Sequence, residues 1–76
     1  MTNEQKQKVA KTMKELNDAV VNSDLALMFM YEQELTELIG VELSMEFLED
    51  LARNGEGVIA EYILKCFEGG ETNETE

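Results

Sequence analysis

Seven consecutive apolar residues, Leu25 to Tyr31 (Leu-Ala-Leu-Met-Phe-Met-Tyr), sit inside a chain of only 76. The run contains no β-branched residue, and Leu, Ala and Met favour helix over strand. It follows Ser23-Asp24, a good capping residue with an acid in the first turn. The stretch therefore reads as a helix that is apolar on all sides over its first two turns. Such a helix must be surrounded, by its own chain or by another.

Size sharpens that requirement. Seventy-six residues make one domain, and a chain of this length buries only about 60% of its unfolded surface. Domains this small usually add a disulfide, a metal, a partner or a second copy. A single cysteine excludes an internal disulfide, and one cysteine without histidine argues against structural zinc. A partner or a second copy is what remains, and the seven-residue run is the place for it.

Charge narrows the partner. The formal net charge is −11, unevenly spread. Residues 1–22 carry four lysines (Lys6, Lys8, Lys11, Lys14) against three acids, while residues 23–76 carry two bases (Arg53, Lys65) against fourteen acids. Phosphate neutralisation needs a basic surface, so direct nucleic-acid binding is not expected. Anionic membranes are disfavoured on the same ground. The opening residues contain no apolar signal core, and seven apolar residues are too few to span a bilayer. The expected location is the cytoplasm.

Taken in order, Glu4–Val21 reads as a first helix, with Thr2 or Asn3 as its cap. Val9, Met13, Leu16 and Val20 recur at i, i+4, i+7 and i+11, a narrow stripe clear of Lys8, Lys11 and Lys14. A second helix covers 24–39. Met28, Tyr31, Leu35 and Leu38 form its stripe, widened by Leu27 and Ile39, and Leu25, Phe29 and Met30 fall on the other side. Gly40 ends it where a left-handed backbone is wanted. Val41-Glu42-Leu43 reads as a connector and Ser44 as the cap of a short third helix, 45–54, with Phe47, Leu48 and Leu51 facing inward. A fourth, 58–67, is largely apolar and expected to be mostly buried before Gly69-Gly70. The fold class is all-α, a small bundle of about four short helices in a single domain, 1–70. The remaining 71–76 read as an acidic disordered tail.

No catalytic pattern emerges. There is no histidine to serve as a base, and the carboxylates sit on exposed helical faces. Glu42, Glu46 and Glu49 lack the inward Glu-x-x-His pairs of a bundle di-metal site, and no glutamate-terminated twelve-residue calcium loop follows Asp50. Cys66, flanked by Ile63 and Phe67, reads as a buried, inert thiol. Leu35–Leu48 has helix-turn-helix spacing, yet its would-be recognition helix carries Glu46, Glu49 and Asp50 against one arginine, which DNA would repel. Neither an enzyme, a cofactor nor a metal is expected.

The function left is binding. In one mechanism the face around Leu25, Phe29 and Met30 docks a partner protein or a second copy, with acids steering it towards a basic surface. This is the format of small acidic inhibitors and adaptors, including viral proteins acting on a host protein. In another, Glu42, Glu46 and Glu49, with Asp50, imitate nucleic-acid phosphates in a target's DNA- or RNA-binding groove. That line requires one continuous helix, which a cap at Ser44 would interrupt. In a third, the apolar face builds a permanent homo-oligomer, a homodimer first of all.

Overall fold

A computed structural model describes the backbone of residues 2–75 and the side chains of 2–66. The chain runs α1 (Asn3–Val21), α2 (Leu25–Ile39), α3 (Val41–Asn54), one 3-10 turn (Gly55–Gly57) and α4 (Val58–Thr75). Among the described residues there is no strand, in keeping with an all-α chain that lacks proline.

Local chemistry accounts for the helix starts. Thr2 caps α1 through a reciprocal box: its Oγ1 accepts from the Gln5 N–H at 3.2 Å, and its own N–H donates to Gln5 Oε1 at 2.9 Å. Ser23 takes a positive φ of 56° in the turn that follows. Asp24, one residue later than the expected serine cap, accepts from the Leu27 N–H at 3.2 Å and starts α2.

The second turn departs from expectation. Gly40 has φ 92° and ψ 159°, a region reserved for residues without a side chain, and it caps both the end of α2 and the start of α3. Its N–H donates to the Thr36 carbonyl, and its own carbonyl accepts from the Ser44 N–H. One residue thus suffices to join the two helices. The expected connector Val41-Glu42-Leu43 is the first turn of α3, which begins at Val41 and not at Met45. Ser44 is not a cap. It lies fully buried in that helix, its Oγ accepting from Thr36 Oγ1 at 3.1 Å and tying α3 to α2.

Beyond Gly55, whose φ of 80° closes α3, α4 also differs from the expected 58–67. Its helical backbone passes Gly69-Gly70 and reaches Thr75. Glycine in a helix interior costs about 1 kcal/mol, far less than the proline this chain lacks. Apart from the backbone to Thr75, the tail expected to be disordered over 71–76 lies outside the described residues.

The core draws on all four helices: Val9, Met13 and Leu16 from α1, Leu35 from α2, Phe47 and Leu51 from α3, Val58 and Tyr62 from α4. Three of the four α1 stripe residues are fully buried, with Val20 packed at the edge. Phe47 meets the Tyr62 ring edge to face at 5.3 Å and 72°, an arrangement worth about 0.5–1.5 kcal/mol beyond area burial. Burial in α4 is one-sided, however: Leu64 is 54% exposed and Cys66 half-buried, so this helix is less enclosed than its composition implies. Among the described residues, every buried side-chain polar atom has a partner.

A candidate protein-docking face on α2 and α3

The all-apolar start of α2 is not enclosed. Leu35 is the only buried residue of that helix. Met28, Tyr31, Leu38 and Ile39 pack against the core from its edge, which is the stripe expected from spacing. The opposite side stays largely open: Leu25 is 66% exposed, Phe29 67% and Met30 49%. Two turns later that side becomes polar, with Gln33 and Glu37 exposed.

Of these three residues, the structure brings two to a common groove. Leu25 and Phe29, one turn apart, line it with Met28, Glu32 and, from α3, Leu48. Met30 is one residue on from Phe29, about 100° round the helix, and belongs to the outer side of the same face. The groove holds about 100 Å³. Small-molecule pockets run to about 300–1,000 Å³, so this one suits a protruding side chain better than a metabolite.

Because α3 begins at Val41, two further residues join this surface. Val41 (59% exposed), Met45 (51% exposed) and half-buried Leu48 recur at i, i+4 and i+7, forming an apolar strip that continues the groove. From the sequence, Val41 falls in an expected connector and Met45 at an expected helix start, which hides their shared face on α3. Their spacing was the available signal.

The acids divide. Glu42, Glu46 and Glu49 are all exposed and share the continuous α3, so they stand in one row a turn apart, about 5–6 Å between neighbours. A helical wheel sets this row directly beside Val41 and Met45. Asp50 does not belong to it. Half-buried, it accepts a hydrogen bond from the Tyr62 hydroxyl and lies 3.8 Å from Arg53 Nη1. Its role is to hold α4 on α3.

Two of the larger hollows have some of their polar groups bonded within the chain. Between α3 and α4, about 340 Å³ is bounded by Asp50, Glu61, Tyr62, Leu64 and Lys65. There Tyr62 is bonded to Asp50 and overlaid by Lys65 Nζ at 5.1 Å from the ring centroid. The hollow between α1 and α4, about 540 Å³, includes Asn17, whose Nδ2 donates to Glu56 at 3.4 Å. Among the described residues, no three Cys, Asp or Glu side chains converge to hold a metal ion, and no helix is long and apolar enough to cross a membrane.

Tyr62 carries the clearest pH signature. Burial, reinforced by the bond to Asp50, pushes its phenol up to about 12. The unfolded value is about 10, so the neutral phenol favours the fold. That contribution is complete below pH 10 and is lost as pH rises through 12. Tyr31 is also raised, chiefly by its hydrogen bond to Glu15, and burial raises Cys66. In a spectrophotometric titration at about pH 11, where an ordinary phenol is mostly ionised, Tyr62 should remain mostly neutral while the protein stays folded. Two phenols titrating together near pH 10 would contradict its burial.

No protein-family model, no curated protein and no solved structure matches the chain.

Proposed function

We propose that this chain is a non-enzymatic protein-binding module of the inhibitor or adaptor type. It docks through the α2–α3 groove, and the acids of α3 steer a partner with a basic surface. One observation carries the reading: Leu25 and Phe29 are each about two-thirds exposed at the mouth of an apolar groove, beside an unbroken acidic row. Covering one such side chain contributes about 1.5–3 kcal/mol, and large apolar groups left open in a small monomer mark interaction sites. The steering acids are Glu42, Glu46 and Glu49; Asp50, engaged with Tyr62, is set aside.

A second reading, nucleic-acid mimicry, draws support from the same row. With α3 continuous from Val41, the three glutamates occupy successive turns as the mimicry argument requires. A third reading, permanent self-association, would cover Leu25 and Phe29 with a second copy.

A capture panel separates these readings. The wild type, Phe29→Glu and the triple change of Glu42, Glu46 and Glu49 to Lys are each challenged with the same lysate at low and high salt. Apolar docking expects a captured protein that survives high salt, is lost with Phe29→Glu and binds the triple variant more slowly. Mimicry expects loss with the triple variant and at high salt, since exposed charges are screened over about 8–10 Å at physiological ionic strength, together with competition by nucleic acid. Identical capture by all three proteins overturns both. A concentration-dependent mass in light scattering that Phe29→Glu abolishes assigns the face to a second copy.

A further inference from the structure

The surface beside the groove indicates the kind of partner that would lie in it. Leu25 and Phe29 on α2 face Leu48 on α3, and Leu48 is followed by Met45 and Val41 at successive turns. Seven residues of helix span about 10 Å, so the apolar track is linear and continues for about two turns. Such tracks accept an amphipathic helix, whose anchors recur at i, i+3, i+4 and i+7.

Acids border the track on both sides. Glu32 lines the groove itself, Glu37 stands exposed on the outer side of α2, and Glu42, Glu46 and Glu49 run along α3. A second copy is poorly suited to this surface. Each chain carries −11, and a two-fold pairing would set the acidic borders against themselves. Nucleic acid and anionic lipid meet the same repulsion. Three methionines, Met28, Met30 and Met45, lie in or beside the track. Their flexible, polarisable side chains let such a surface adapt to anchors of different shape.

Resting on the docking reading above, we infer that the occupant of the α2–α3 groove is an amphipathic helix of a partner protein, with apolar anchors on one face and lysines or arginines flanking them. Its anchor seats over Leu48 between Leu25 and Phe29, and its basic flanks pair with Glu32 on one side and the α3 row on the other. The acids contribute mainly association rate and selectivity, the groove mainly residence time.

The probe is a synthetic leucine–lysine peptide of about 18 residues, five helical turns, with leucines at i, i+3, i+4 and i+7. Its control is the same peptide with glutamate for lysine. Fluorescence anisotropy should show binding of the lysine peptide and none of the control, with amide shifts in α2 and α3 and not in α1. Phe29→Ala should weaken binding by about tenfold or more. The triple Glu-to-Lys variant should weaken it comparably at low salt, with the difference from wild type closing near 1 M, where screening acts over about 3 Å. Equal affinity for both peptides, indifference to Phe29→Ala, or shifts centred on α1 would each overturn the inference. If the lysine peptide fails while lysate capture still depends on Phe29, the partner is not a basic helix and the docking reading stands. If both are indifferent to Phe29, the docking reading falls too.

Discussion

Phe47→Ala should cost about 3–5 kcal/mol, a large share of the stability of so small a domain. Phe47 is fully buried and packs edge-on against Tyr62, so truncation forfeits transfer free energy, opens a cavity and removes the aromatic pair. At about 0.05–0.15 kcal/mol per residue, a chain of this length has only about 4–11 kcal/mol in total. The measurement is a thermal melt followed by far-UV circular dichroism. In a domain of this size each kcal/mol shifts the midpoint by about 4–8 °C, so a fall of more than about 12 °C is expected. Phe47→Leu, which keeps most of the volume, should lose far less. A midpoint within a few degrees of wild type for the alanine variant would show that α3 and α4 do not meet as described.

The second large effect falls on association, with stability untouched. Phe29→Glu places a charge at a position already 67% exposed, and surface changes clear of caps and core usually stay within about 0.5 kcal/mol. The melt should therefore match wild type, while binding to the partner falls by tenfold or more. Leu35→Glu, on the same helix but at a fully buried position, is the control that should unfold. If Phe29→Glu unfolds the chain as Leu35→Glu does, the residue is ordinary core and the docking face is withdrawn. These two substitutions lie less than two turns apart on α2, and only their burial separates them.

That separation marks how much the sequence revealed. The stripe of Val9, Met13, Leu16 and Val20 was readable because a helix repeats every 3.6 residues and burial follows that period. Gly40 was identifiable as a helix end because a positive φ favours glycine. Its second role, starting α3 at once, was not readable. A serine four residues on looked like the better cap, and only the contact between Ser44 and Thr36 shows why that hydroxyl is inside. Asp50 resembled its acidic neighbours for a similar reason. Its distinction from Glu46 and Glu49 is the Tyr62 hydroxyl, twelve residues away in the chain.

The sequence by itself determined that the chain is helical, that its helices turn at 22–24, at Gly40 and at 55–57, and that α2 starts with more apolar surface than one contact can cover. These are properties of near neighbours along the chain: propensity, capping and period. Tertiary structure decided which apolar face is left open. Leu35 is enclosed and Phe29 is not because Gly40 folds α3 back beside α2 while α1 packs on α2 from its other flank. The same reversal makes Glu42, Glu46 and Glu49 one row and sets it beside the groove. A helical period gives the angle between two faces, but which of them meets a neighbour depends on how distant helices dock.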